Sequence, residues 1–453
     1  MARRRRTSDP MERTIEAALD PGRFVEYKAS WEFVGRLEHV EEQLRQLIST
    51  EPARATALYE AFIAGCHEKA EEIDDSGGYL GQFVEGLFGG WIRARQAATA
   101  DTDEIATRLV RWMEDDPYGF AHYLDNEASR VLDKPGLAAL LAQVEARFRA
   151  AQGARSEPAA RLSEDPTYQR RRWAAVLRTL YLAQKNLRAY VALTEQTELT
   201  PQDCHAIATL LVGRRQRPEA LAWVERGIAL GNKSVHEASA VRQLETLRRQ
   251  LLTRLGRADE AVEAAWRQYR EHPDPYTYRE LMAVVPRAQR PEWHERAMAA
   301  TEGADLSCLI ELLLRTKELG RLAELVRRST DAALEGVSHY ATEPAAKKLE
   351  RAHPGLAARL WRAQGMRIVQ AKKSKYYDAA LAHFERAKRC YERAGLATEW
   401  DKTVRQVRTE HHRKWGFMGG FEDLVAGSGP SHQPSFLERA KARWGGPPRE
   451  QQR

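Results

Sequence analysis

Residues 72–91, EIDDSGGYLGQFVEGLFGGW, combine the residue types that could hold a phosphate or a divalent metal ion. Acidic side chains run into a pair of glycines, and four more glycines follow before Trp91. A phosphate-binding loop needs a lysine directly after its glycines, because backbone N–H groups and one cation together surround the phosphate. No lysine follows these glycines and no strand pattern precedes them, so the stretch does not match such a loop.

The acidic residues also fit metal-binding patterns poorly. An EF-hand calcium loop that began at Asp74 would need an oxygen ligand at its fifth position, which is Gly78. The aspartate pairs at 74–75 and 115–116 lack the third aspartate that a magnesium-binding helix carries three residues further on. A metal ion at 71–75 is the less favoured alternative, and we expect neither a metal nor a cofactor.

The same stretch reads well as the start of a helix. Asp74, Asp75 and Ser76 precede a predicted helix of about 79–98, where acceptors and negative charge meet the free N–H groups of the first turn. Gly86 and Gly90 lie one turn apart in that helix, and each costs it about 0.8–1 kcal/mol relative to alanine. Their spacing predicts that a second helix packs closely against the backbone at both positions.

Cysteine and histidine give no recognisable catalytic pattern. Three histidines are followed by glutamate: His67, His236 and His294. None has the second histidine four residues on that a zinc hydrolase requires. In the adjacent pairs Cys66-His67 and Cys204-His205 the side chains point apart on a helix. A cysteine–histidine pair assembled from distant residues stays open, which makes an unrecognised hydrolase the weakest alternative.

Composition favours a soluble, well-packed chain. Its 453 residues are 43% hydrophobic and 30% charged, enough for two or three domains or one extended repeat array. No apolar run approaches the ~20 residues of a membrane helix, and the basic start MARRRRTSDP lacks the apolar stretch of a signal peptide. We expect a cytoplasmic protein. The net charge of +7 is a mild excess of the sign that attracts an acidic partner.

Helical periodicity dominates the chain. In 137–148 the apolar residues form one stripe at spacings that only a helix satisfies, and alternating β-branched runs are nearly absent. The sequence predicts an all-α fold. We expect a flexible basic arm at 1–20, an N-terminal helical domain at 21–152, a linker at 153–167, helical repeats at 168–420 and a flexible basic tail at 421–453.

The C-terminal half contains three similar segments, at 213–230, 256–273 and 376–395. The first two share a Gly-Arg turn and a matching alanine, Ala220 or Ala261. The third has the spacing of a tetratricopeptide repeat's second helix, in which small residues let paired helices approach closely; its positions are Tyr377, Ala380, Phe384 and Ala387. These segments resemble degenerate tetratricopeptide repeats, which implies an α-solenoid of stacked helix pairs.

A broader resemblance, which includes the N-terminal half, is to bacterial helical proteins of unknown function. The runs FVEYKASWEFVGRLEHVEEQL (24–44), CHEKAEEIDDSGGYLGQFVEGLF (66–88) and DDPYGFAHYL (115–124) carry this resemblance, which covers most of residues 20–420. A similar helical region accompanies SWIM-type zinc fingers in some relatives. The finger itself needs a Cys-x-Cys pair followed by Cys-x-His, and this chain has no such set.

Several cations are clustered with aromatic residues such as Tyr168, Trp173, Tyr376 and Trp415, a mixture that can bind phosphates and stack bases. These candidate nucleic-acid or partner contacts are Arg170, Arg171, Arg172, Arg178, Lys185, Lys372, Lys373, Lys375, Arg413 and Lys414. Because arginine stems also cover helix surfaces, we favour a non-enzymatic interaction scaffold that binds a protein or peptide on a concave face. A nucleic-acid-associated protein is the main alternative.

Overall fold

A computed structural model describes residues 9–153, 165–231, 235–301 and 304–427 of the chain. Within these ranges it contains 23 α-helices and no strand, apart from one isolated parallel bridge between Val25 and Ile73. The predicted all-α class is confirmed. None of the helices in the described ranges is both long and apolar enough to cross a bilayer.

The first eleven helices belong to a compact unit at Met1–Arg248. They are α1 (Pro10–Leu19), α2 (Tyr27–Thr50), α3 (Pro52–Lys69), α4 (Tyr79–Ala97), α5 (Thr102–Glu114), α6 (Leu124–Val131), α7 (Lys134–Gly153), α8 (Pro166–Ala183), α9 (Leu187–Gln196), α10 (Pro201–Gly213) and α11 (Arg217–Leu230). Each packs mainly against the next helix or the next but one along the chain.

The second unit is Arg249–Arg453, and the boundary falls within α12 (Val235–Arg254). Its helices also pack largely on close neighbours in the chain, as in an α-solenoid. They are α13 (Ala258–Glu271), α14 (Pro275–Val284), α15 (Arg290–Ala299), α16 (Leu306–Thr316), α17 (Leu319–Arg328), α18 (Asp331–Gly336), α19 (His339–Leu349), α20 (Pro354–Gln370), α21 (Tyr377–Arg393), α22 (Ala397–His411) and α23 (Trp415–Ala426).

The division between these two units falls after Arg248, whereas the sequence predicted a linker at 153–167. Helices α7 and α8, on either side of the predicted linker at 153–167, pack against each other within the first unit, and residues 154–164 lie outside the described ranges. In the predicted arm, α1 buries Ile15 and Leu19. In the predicted tail, Phe421 is fully buried, while 428–453 lie outside the described residues, as do 1–8 with their four arginines.

Short acidic side chains define where many helices begin. Asp75 accepts hydrogen bonds from the backbone N–H groups of Leu80 (2.8 Å) and Gly81 (3.0 Å), as expected for the start of α4. At α10, Thr200 and Asp203 form a capping box, in which each side chain accepts from the other residue's backbone N–H. These bonds satisfy N–H groups that have no partner inside the helix.

Arginine side chains close several C-terminal ends. Arg359 of α20 donates to the carbonyl oxygens of Val326 and Ser329, at the end of α17, each at 2.6 Å. The same guanidinium pairs with Asp331 at the start of α18, at 2.7 Å. One cation therefore ties three helices together through groups that would otherwise lack partners.

The close contact predicted at Gly86 and Gly90 is present only at Gly90. A Cβ at Gly90 would overlap the ring of Tyr59 on α3, which is fully buried and donates to Glu41 (2.9 Å). Gly86 is exposed, and a Cβ there would meet nothing within 4 Å. The prediction for Gly86 is wrong, because its position turns toward solvent; Gly89, beside Glu127, is the second tight glycine.

Alanine substitutions at the two positions should act in opposite directions. We expect Gly90→Ala to destabilise the protein by roughly 1–3 kcal/mol, because the fully buried ring of Tyr59 would have to shift to make room for the new Cβ. Gly86→Ala is the matched control and should stabilise by up to about 1 kcal/mol, because alanine is the better helix former. Urea unfolding followed by circular dichroism measures both; equal effects would contradict the assignment of the contact to Gly90.

Candidate functional site

The buried thiols are poor nucleophiles. Cys66 and Cys204 both lie in the core. Burial raises the pKa of the Cys66 thiol far above its usual range, and burial raises that of Cys204 to about 11. A thiolate, the reactive form, is therefore disfavoured at both positions. Among the described residues no group of three or more His, Cys, Asp or Glu side chains could hold a metal ion.

One histidine has a hydrogen-bond arrangement that the sequence did not predict. The Tyr278 hydroxyl lies 2.7 Å from Nδ1 of His294, and Nε2 of this ring lies 3.1 Å from Glu318. The three residues come from α14, α15 and the N-cap of α17. Burial, and next the charge of Glu318, raise the pKa of Tyr278, so its phenol stays protonated. The arrangement orients the ring and links helices, and supplies no activated nucleophile.

An exposed aromatic cluster marks the start of α2. Two backbone hydrogen bonds hold Val25 against residues 72–74. Its N–H donates to the Glu72 carbonyl (2.9 Å), and its carbonyl accepts from the Asp74 N–H (2.8 Å). Val25 is buried, so the preceding Phe24 points outward and is 58% exposed. Trp31 on α2 is 60% exposed. Large aromatic residues this open are typical of contact sites.

Phe24 and Trp31 line an open groove of about 1020 Å³, which we call the α2 groove. Gly35 lies one turn after Trp31, and a Cβ there would meet nothing within 4 Å, so the groove is open at this position. Arg36, held over the buried Phe33 ring at 5.3 Å, contributes a cation to the wall. The groove therefore offers two apolar anchors beside charged groups. The remaining lining residues are Pro21, Arg23, Val25, Glu26, Ala29, Glu32 and His39.

In the first predicted basic cluster, several cations make contacts inside the protein. Arg178 pairs with the buried Asp203 at 2.6 Å and Arg170 donates to the Gln196 carbonyl. Arg172 lies over the Trp173 ring at 5.6 Å. Three cations of this region are exposed, and no ion pair is found for them among the described residues: Arg171, Lys185 and Arg188.

Two further predicted clusters, which the sequence gives separately, lie in two loops that the structure brings together. Lys372, Lys373 and Lys375 lie between α20 and α21, and Arg413 and Lys414 lie between α22 and α23. The Lys414 ammonium donates to the carbonyl of Val369, at the end of α20, and so joins the loops. Burial, and next the charge of Lys372, lower the pKa of Lys414. Positive charge therefore accumulates here.

The predicted repeat positions lie inside the helical packing. Five of them are fully buried: Ala220, Ala261, Ala380, Phe384 and Ala387. Tyr377 is half-buried and its ring contacts Phe417 at 5.6 Å. Their structural role, close approach of neighbouring helices, needs no ligand.

A model of one protein family matches residues 14–419, which is most of the chain. The chain belongs to the DUF6880 family. DUF6880 is described as a family of unknown function, so membership assigns neither an activity nor a partner. No curated protein matches the chain.

Among solved structures, the chain is similar to one in the structure of Naa15/Naa10 bound to HypK-THB. The sequence identity is 12% and the TM-score is 0.33. The similarity covers 88% of this chain and 63% of that chain, so this chain spans less than two thirds of its length.

The sequence contains a signal for the α2 groove that belongs to no recognised motif. The apolar stripe of α2 passes through Phe33, Leu37 and Leu44, whereas Tyr27 and Trp31 lie one turn apart on the solvent side. Two aromatic residues off the buried stripe of a helix indicate a surface that is partly apolar. His294, by contrast, meets partners at 278 and 318 that no short motif connects.

Four histidines, of which His411 is buried and the other three are half-buried, share one electrostatic property. Burial is the main cause that lowers the pKa of each: His67, His205, His383 and His411. His383 stacks on the fully buried Trp361 at 5.4 Å, and its Nδ1 has no hydrogen-bond partner among the described residues. Folding therefore favours the neutral form of these imidazoles.

This property predicts a loss of stability in mild acid. The unfolded chain binds protons at the ordinary histidine pKa of 6.5, whereas the folded chain binds them only at lower pH. The contribution of these neutral histidines to the free energy of unfolding should be fully present above about pH 6.5. It should be lost as the pH drops through their folded-state pKa values. We expect His383→Gln to reduce the drop in melting temperature between pH 7.5 and 5.5. The exposed His39→Gln is the control, and an equal reduction there would contradict the explanation.

Proposed function

We propose that this DUF6880 protein is a non-enzymatic helical scaffold that binds a partner protein through the α2 groove. The exposure of Phe24 and Trp31 at this groove carries the proposal. Tryptophan is enriched among the residues that dominate binding energy, because it buries a large area at little cost in side-chain entropy. The exposed rings of Phe24 and Trp31 lower the solubility of the protein unless a partner covers them.

The backbone around the groove is preorganised. The two hydrogen bonds of Val25 hold the segment before α2, and Ser30 is buried and donates to the Tyr27 carbonyl at 2.8 Å. A partner would therefore meet a fixed surface and would lose little affinity to ordering it. The wall carries Arg23 and Arg36 as well as Glu26 and Glu32, so a partner segment with apolar anchors between polar residues of both signs fits best.

The chemistry of the core supports a role without catalysis. The thiols of Cys66 and Cys204 stay protonated, and the phenol of Tyr278 is used to orient His294. A cytoplasmic location and the likeness to regions that accompany SWIM-type zinc fingers stay predictions, which none of these contacts tests.

The decisive test compares two exposed tryptophans. The full chain is used to capture its partner from the native cell, and the captured protein is then purified and titrated against variants. We expect Trp31→Ala to weaken binding by about 30-fold or more, which corresponds to the ~2 kcal/mol typical of a central anchor. Phe24→Ala should act in the same direction.

Trp415→Ala is the matched control, because Trp415 is 86% exposed but lies on α23 in the other unit. It should leave the affinity unchanged. Equal affinity of the Trp31→Ala and Trp415→Ala variants for the partner would overturn the proposal. Turnover of a substrate that depends on Cys66 would also overturn it.

A further inference from the structure

The two loops joined by Lys414 form a surface with a different chemistry. We call it the lysine–tryptophan surface: the cations Lys372, Lys373, Lys375 and Arg413 with the rings of Tyr376 and Trp415. The Lys414–Val369 hydrogen bond and the Tyr377–Phe417 ring contact (5.6 Å) fix the loops beside each other. Residues about 40 positions apart in the sequence therefore meet where α21 and α23 begin.

The four cations lack ion-pair partners in the described part of the chain. All four are exposed, and none makes an ion pair with a described residue. Two carboxylates of α22 and α23 are engaged with other partners: Glu422 pairs with Arg408 at 2.5 Å, and Glu410 accepts from Gln406 at 2.9 Å. Unpaired cations held together repel one another, so an anionic ligand stabilises them.

Helix ends add to the positive potential. Neither α21 nor α23 has a side-chain cap, because their N-cap residues are Tyr376 and Lys414. The first turn of α23 contains no acidic residue, and that of α21 contains only Asp378. The positive ends of both helix dipoles therefore lie beside the four cations.

The aromatic residues decide which anion fits. Trp415 is 86% exposed and Tyr376 is 46% exposed, with the Lys375 ammonium 4.9 Å from the Tyr376 ring centre. An acidic peptide needs only the cations. A single-stranded nucleic acid also offers unpaired bases, whose flat faces stack on such rings regardless of sequence.

We propose that the lysine–tryptophan surface binds single-stranded nucleic acid. Its phosphates lie on Lys372, Lys373, Lys375 and Arg413, and one base stacks on Trp415. This site is separate in residues and chemistry from the α2 groove, so either can fail without the other.

The test is a titration of the full chain into a fluorescently labelled 20-nucleotide single strand of mixed sequence. Four phosphate contacts predict that log Kd changes with log salt concentration at a slope of about 3. The triple variant Lys372→Glu, Lys373→Glu, Lys375→Glu should flatten this slope. Trp415→Ala should weaken binding about tenfold and leave the slope unchanged, because stacking does not release counterions.

A matched charge control uses the other exposed cations. Arg171→Glu, Lys185→Glu and Arg188→Glu change the net charge by the same amount and should leave binding largely intact. Circular dichroism confirms that each variant is folded. Equal weakening by both triple variants, equal affinity for the duplex of the same sequence, displacement by poly-glutamate as effective as by unlabelled strand, or no binding at 100 mM salt would each overturn the proposal.

Discussion

Unpaired backbone groups at helix ends are the constraint on which this structure depends. Each α-helix leaves its first N–H groups and its last carbonyls without partners inside the helix, and this chain is built from many short helices. At the N-terminal ends, aspartate, threonine and serine accept the N–H groups, as Asp203 does for α10. At the C-terminal ends, cationic and amide side chains from other helices donate to the carbonyls. Gln96 donates to Val131, Arg367 to Val337 and Lys388 to Leu424.

This use of cations changes what the basic composition means. Many lysines and arginines are part of the fold, because they close helix ends or pair with buried carboxylates. Arg178 and Arg170, which the sequence offered as ligand contacts, belong to this class. The excess positive charge available to a partner is therefore local. Its clearest accumulation in the described residues is at the loops before α21 and α23, where Lys414 serves the fold and its neighbours do not.

The sequence predicted the fold class better than it predicted individual contacts. Helical periodicity depends only on residues close together in the sequence, and so does the hydrogen bond that Asp75 accepts at the start of α4. Gly86 and Gly90 differ by only about 40° around the helix, since four residues exceed one turn slightly. Which of them faces α3 depends on where the ring of Tyr59 lies, and periodicity does not contain that information. The Tyr278–His294–Glu318 arrangement and the meeting of two basic loops likewise depend on tertiary packing.

Arg359 has a consequence for how the second unit moves. Its guanidinium is shared between the end of α17 and the start of α18, while its own helix packs against α21. If α20 opened, the carbonyls of Val326 and Ser329 would lose their donor at the same moment. Amide hydrogens in α17, α18 and α20 should therefore exchange with solvent together, as one cooperative unit. A repeat array whose helices could unfold one at a time is in this way coupled into a longer folding unit.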